Sequence, residues 1–357
     1  PFTPDGQTQY KQIYAAYISG SSSQPADINY TGSFIHLSGS YDNKIVIGTC
    51  VTDANVGSNN LYVVGDVAGT TKITIGSNHT NSGTLSSVAG GTCNTVLGTC
   101  GFIGGGRCNY ISANVTTAPH VIGGGNQNCV SAYNTSGIFG GNQNKIQPGF
   151  FTGNIFIVGG TQNQVTSSID HGCLSSSLIG GGGNNKICGC GNSSAILGGC
   201  TNTISKHCSV IGGGKSNSAN GTLSSILGGT TNTTTGACSF IGGGSSNSTS
   251  GPATVIVGGR NHCIHVDSCD GVIVGGFSNY NRGDGAFIGA GSSNTICLSN
   301  ASYAVIVGGT LNTASATGTF IGGGYQNNAS NGQYQFIGGG YQNELGGAGS
   351  SAIISGE

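Results

Sequence analysis

The 357-residue chain holds 70 glycines and 14 cysteines, and it has no methionine or tryptophan. Charged residues are 6% of it, against roughly 25% in an ordinary soluble domain, and the net charge of −1 gives no electrostatic footprint for nucleic acid or an anionic membrane. Glycine at this level excludes a helical or doubly wound fold, the lack of a three-residue glycine register excludes collagen, and a fixed apolar pattern excludes simple disorder.

In chain order, residues 1–33 are non-repetitive and tyrosine-rich (Tyr10, Tyr14, Tyr17, Tyr30), which reads as a cap or a subunit joint. The opening Pro1-Phe2-Thr3-Pro4-Asp5 lacks the basic and apolar regions of a signal peptide and reads as a processed end. Residues 34–85 carry degenerate repeats, Phe34-Ile35-His36-Leu37 and Asp42-Asn43-Lys44-Ile45 among them. Regular repeats fill 86–357 and end in a partial copy, Ser351 to Glu357. No apolar run approaches 18 residues, so no membrane-spanning helix is expected.

The repeat is two apolar residues, two or three glycines, two variable residues, Asn, one variable residue and usually an aliphatic, as in Phe102-Ile103-Gly104-Gly105-Gly106-Arg107-Cys108-Asn109-Tyr110-Ile111. Its Asn slot is filled by Asn94, Asn109, Asn128, Asn144, Asn163, Asn185, Asn202, Asn217, Asn232, Asn247, Asn279, Asn294, Asn312, Asn327 and Asn343, and once by His262. Measured at the apolar residue before the glycines, the spacing runs from 14 to 21, with 14 recurring from Leu197 to Ile211, Leu227 to Ile241, Val274 to Ile288 and Val307 to Ile321. A hard minimum with variable excess means a solenoid with loops inserted after the Asn-x-aliphatic element.

Glycine would cost about 1 kcal/mol per residue in a helix interior, so the turns are built of short strands. The expected fold is all-β: a parallel β-solenoid (β-roll) with two short strands per minimal 14-residue turn. Equivalent residues then stack in ladders about 4.8 Å apart, and the Asn slots form a column of amides able to hydrogen-bond from turn to turn. Two-glycine and three-glycine copies mostly alternate from Ile179 onward, which leaves open a wider β-helix of about 30 residues per rung, two such copies in each rung. The strand before the glycines is apolar at consecutive positions (Phe240-Ile241, Ile256-Val257, Ile306-Val307). Successive strand residues face opposite ways, so both faces of that sheet are expected to be covered, the outer one by the same chain around a symmetry axis. The second strand is apolar only at alternate positions, so its outer face is expected to be wet.

The paired aliphatics before glycine, the 14-residue minimum and the following Asn-x-aliphatic element resemble YadA-like head repeats, found in trimeric autotransporter adhesins and in fibre proteins of phages and large viruses. The resemblance spans roughly residues 86–345. It implies a left-handed, trimeric β-roll displayed outside the cell or particle and used for attachment.

Cysteine usage with so few charges favours an oxidising, extracellular setting. Cys93 and Cys108 precede slot asparagines in successive turns, within the Cα window of a disulfide. Cys190 with Cys208, Cys188 with Cys200, and Cys263 with Cys269 are further candidate staples. The His262-to-Asp270 stretch matches no firm zinc spacing, so neither metal nor cofactor is expected. Arg282-Gly283-Asp284 spells an adhesive tripeptide, with a tight bend as the competing reading. Asn29, Asn78, Asn114, Asn134, Asn192, Asn220, Asn300 and Asn328 lie in glycosylation sequons outside the column, while Asn232 and Asn247 are sequons within it. No paired carboxylates recur for hydrolytic chemistry and the glycine runs lack a phosphate-loop context, so no enzyme is expected. The expected function is a structural protein of an extracellular or virion-surface fibre, self-assembling through apolar strand faces as a trimer or filament. The alternative is an adhesin whose inserted loops bind host glycans or proteins. An ice-binding solenoid is disfavoured by the irregular loops.

Overall fold

The computed structural model describes residues 45–47, 61–63 and 72–354, apart from 113–117, 148–153, 167–175, 190 and 298–299. The chain divides into two units, Pro1–Ala68 and Gly69–Glu357. In the first, β1 (Ile45–Ile47) and β2 (Leu61–Val63) pair in parallel, with Ile45 opposite Leu61. The copies at 34–44 lie outside the described residues.

The second unit is a parallel β-solenoid of about 16 turns. One turn shows how the sequence builds it. Phe240–Ile241 is a strand of the first sheet, here called sheet A. The chain bends through Gly242, Gly243 and Gly244, forms a single parallel bridge at Ser245, and buries Asn247. Ser248–Thr249 is then a strand of the second sheet, sheet B. A corner through Gly251 and Pro252 leads to the next sheet A strand, Val255–Ile256. Every turn satisfies its backbone on its neighbours, for example Phe240 N–H to Thr254 O at 2.9 Å and Ser248 N–H to His262 O at 2.8 Å. The last glycine of each bend is required: Gly244 has φ +89°, and a Cβ there would run into the Gly259 carbonyl of the next turn.

Both sheets are open. In sheet B, Thr80–Asn81 pairs with Thr95–Val96 at one end and Glu344–Leu345 with Asn328–Ala329 at the other. The register corrects the 14-residue turn. Ile196 pairs with Ile211, Ile211 with Ile226, Ile226 with Ile241 and Ile241 with Ile256, so the minimal turn is 15 residues. Among the described residues a 14-residue step occurs only at Thr74 to Val88. Leu197, Leu227, Val274 and Val307 are therefore not equivalent to the isoleucines they were measured against. Each occupies the place of the first glycine in a three-glycine copy, so Leu197 aligns with Gly212. The same register corrects the 30-residue rung: two-glycine and three-glycine copies are successive single turns.

The core is narrow. Sheet A contributes one fully buried residue per turn (Ile196, Ile211, Ile226, Ile241, Ile256), and sheet B another (Ile204, Ala219, Thr234, Thr249, Ile264). In the Phe240-Ile241 pair the first residue is the outward one, whereas in the Ile256-Val257 and Ile306-Val307 pairs it is the second. Val255 is only half-buried beside the fully buried Ile256, and Val257 is exposed again. Within one chain the outer face of sheet A is thus open.

Candidate functional site

Two outward positions flank the buried isoleucine of each sheet A strand, and their sizes are complementary. Phe102, Phe240, Phe287, Phe320 and Phe336 are each followed two residues later by glycine: Gly104, Gly242, Gly289, Gly322 and Gly338. Gly137, Ala195 and Ser225 are followed instead by Phe139, Leu197 and Leu227. Valine takes both places at Val255/Val257, Val272/Val274 and Val305/Val307, while Phe156 followed by Val158 departs from the rule. The rings lean onto their glycines: Phe240 Cε1 lies 3.5 Å, and Phe287 Cε1 3.4 Å, from where a Cβ on the following glycine would stand. Each turn therefore offers about one large side chain, at one place or the other, and the face is even rather than ridged. It is also largely apolar, with Leu197 and Leu227 each 57% exposed and Phe320 stacked on Phe336 at 5.2 Å. Apolar patches of this extent on soluble proteins mark interaction surfaces.

Sheet B contrasts with it. Its outward columns read Thr203, Ser218, Thr233, Ser248 and Ser205, Asn220, Thr235, Ser250, and Ser205 donates to Asn220 Oδ1 at 2.7 Å. This is the wet outer face expected from alternation.

The Asn column is buried, but its bonding is mainly to backbone. Asn217 Nδ2 donates to Gly213 O and Gly229 O, both at 3.0 Å, and Asn217 Oδ1 accepts the backbone N–H of Asn232 at 3.0 Å. The same set recurs from Asn94 to Asn327 with the one exception of His262, and amide-to-amide bonds such as Asn109 Nδ2 to Asn94 Oδ1 at 3.1 Å only accompany it. Asn343 closes the column half-buried. His262 imitates the acceptor half: its Nδ1 accepts the Asn279 N–H at 3.1 Å. His79, not recognised as a column residue from the sequence, does the same for Asn94 at 3.0 Å. Burial holds the His262 imidazole below its ordinary pKa, against hydrogen bonding to Gly276 and Asn279. His120, buried beneath sheet A, is lowered for the same reason.

The cysteines of the described residues are free thiols. Cys93 and Cys108 do occupy equivalent positions in consecutive turns: each has positive φ and each follows a residue of the Thr92–Arg107 bridge. Cys188 and Cys200 are not brought together, since Cys188 ends a sheet B strand opposite Thr166 while Cys200 bridges Gly183 and Lys215 at the bend. Cys208 lies at the corner with φ +54°, and its candidate partner Cys190 is outside the described residues. Cys263 is half-buried in sheet B and Cys269 is exposed at the corner. His262 points inward while His265 lies outside against Asp267 at 3.2 Å, so the two do not converge. Among the described residues no group of three His, Cys, Asp or Glu side chains is placed to hold a metal.

Arg282-Gly283-Asp284 forms the corner itself. Arg282 reaches Asp267 Oδ2 through Nε at 2.8 Å and a terminal nitrogen at 2.6 Å, and Asp284 Oδ1 accepts the Cys269 N–H at 2.7 Å. The Arg282 pair holds the exposed Asp267 carboxyl below its usual range. Of the sequons, Asn78, Asn134 and Asn300 are exposed, Asn192, Asn220 and Asn328 are half-buried, Asn232 and Asn247 are buried, and Asn29 and Asn114 lie outside the described residues.

Neither the known protein-family models nor the curated proteins searched contain a match to this chain.

Proposed function

We propose that this chain is the structural subunit of an extracellular or virion-surface fibre, assembling with copies of itself as a trimer through the outer face of sheet A. The observation that carries the reading is that face: even and largely apolar along the solenoid, on a protein whose opposite sheet is mainly polar. The isoleucine core is full without it, so these side chains do not serve the fold of one chain. Covering them removes apolar surface from water at roughly 25 cal/mol per Å². A repeating match between the same faces of identical rolls gives every copy the same contact, as a closed symmetric assembly requires. The resemblance to YadA-like head repeats supports the same arrangement.

The adhesin alternative draws on where the longer turns gain their residues. Between Ile111 and His120, Gln147 and Ile155, and Thr166 and Leu178, the extra chain follows a sheet B strand and precedes a sheet A strand. Electron microscopy with mass photometry of native material separates the readings. Long uniform filaments support the fibre, discrete trimers support the spike, and a stable monomer sinks both.

A further inference from the structure

At the corner leading from sheet B back to sheet A, one residue per turn has a left-handed backbone. Leu223, Cys238, Ala253 and Asp270 hold it with φ from +53° to +57°, so glycine is not needed there. The next four turns nevertheless read Gly285, Tyr303, Gly318, Tyr334. Backbone bonds stack them in consecutive turns: Tyr303 N–H to Asp284 O at 2.8 Å, Gly318 N–H to Ser302 O at 2.9 Å, and Tyr334 N–H to Thr317 O at 2.9 Å.

The tyrosines explain the glycines. A Cβ on Gly285 would stand 2.9 Å from Tyr303 Cδ1 and 3.0 Å from Cε1, and one on Gly318 would stand 2.6 Å and 2.9 Å from the same atoms of Tyr334. Each ring thus leans along the roll over the turn before it, in space cleared by the missing side chain, while Tyr303 stays 70% and Tyr334 64% exposed. Where tyrosines occupy consecutive turns, as Tyr325 and Tyr341 do at the opposite bend, they stack on each other at 5.4 Å and 9° and use up their faces. The intervening glycine turn at the corner prevents this and sets the two rings about 9.5 Å apart, two strand spacings.

We propose that Tyr303 and Tyr334 form a two-ring platform for a neutral, extended β-1,4-linked polysaccharide of the cellulose or chitin type. Sugar rings present apolar C–H faces that pack on aromatic side chains, leaving the hydroxyl edge for polar groups. In a β-1,4-linked chain each sugar is flipped relative to the last, so one face recurs at every second residue, close to the two-turn interval of the rings. Ser302, Thr317 and Gln333 immediately precede the corner residues; Gln333 is exposed, and the Thr317 hydroxyl donates to Asn300 O at 2.6 Å. Of the carboxylates in the preceding turns, Asp284 accepts the Cys269 N–H, and Asp270 stands in the corner column one turn before Gly285. The site is at the corner, two residues before the outward Val305 and Phe336 of sheet A, and goes beyond the assembly reading.

The test is depletion of the full chain from solution by microcrystalline cellulose, crystalline chitin and, as an α-linked comparison, starch granules. Mass photometry of the same samples keeps assembly separate from binding. The wild type is expected on cellulose or chitin and not on starch, and which of the two retains it identifies the sugar. Tyr303→Ala and Tyr334→Ala should each weaken retention about tenfold, and the double variant should abolish it. Tyr303→Phe and Tyr334→Phe, which keep the rings, should stay within about twofold of wild type. The proposal is overturned if the wild type is retained by neither β-linked polymer, if the alanine variants bind as well as wild type, or if they change only the assembly mass.

Discussion

Each asparagine of the buried column joins three backbone groups that its own bend leaves unpaired or half-paired. Alanine in place of Asn217 leaves the Asn232 N–H without an acceptor and removes a donor from the Gly213 and Gly229 carbonyls, although Gly229 O keeps the Lys215 N–H. An unsatisfied buried group costs about 1–3 kcal/mol, so Asn217→Ala should destabilise the roll by about 2–3 kcal/mol in urea denaturation. Hydrogen exchange at the Asn232 amide should accelerate in the same variant. Exchange that stays slow there would mean that the column is not what holds the bend. His262 adds a pH dependence. Its Nδ1 must be bare to accept from Asn279, and burial depresses its pKa below the ordinary 6.5. Below that value the unfolded chain takes up a proton that the folded chain refuses, so stability is full above pH 6.5 and falls as the pH is lowered toward the folded-state pKa. His262→Asn should flatten this part of the stability–pH profile, leaving the slope that His120 contributes by the same mechanism.

Within a bend, neighbouring glycines have different duties. Gly229 sits at φ +89° and a Cβ on it would meet the Gly244 carbonyl, whereas a Cβ on Gly228 finds nothing within 4 Å. Gly229→Ala should therefore lower thermal stability sharply, by about 3 kcal/mol or more, through strain and collision. Gly228→Ala should remain within about 1 kcal/mol of wild type by calorimetry. Equal effects at the two positions would contradict the bend geometry. The glycine at the start of a three-glycine bend is confined by backbone as well: a Cβ on Gly242 would run into the Val257 carbonyl oxygen of the next turn, with the Phe240 ring at ordinary contact distance.

Across the whole solenoid, the outer face of sheet A can be changed without touching the core. Leu227 and Val257 point away from the buried isoleucines and are 57% and 50% exposed. The pair Leu227→Lys with Val257→Lys should leave circular dichroism and melting nearly unchanged while abolishing assembly in mass photometry, because charges brought together at an apolar contact are not solvated there. Assembly that survives both lysines would place the self-association surface elsewhere. Two turns of spacing between the substituted residues make the perturbation wide enough to defeat a local slip in register.

The sequence by itself determined that the chain repeats, that its turns are β, that Asn247 and its equivalents lie inside in a column, and that insertions follow the second strand. Those features are periodic in one dimension, and composition and spacing are enough to read them. Only the tertiary structure decided the length of the turn, because Leu197 and Ile211 look alike as apolar residues before glycine until Ile196 is seen paired with Ile211. It also decided which member of each apolar pair is inward, since a strand of two residues is too short for alternation to establish its own phase. The bonding of the Asn column to backbone rather than to itself, the place of His79 within it, and the Tyr303–Tyr334 corner depend on contacts between turns. Such contacts join residues about 15 or more apart along the chain, and their geometry exists only once the register is set.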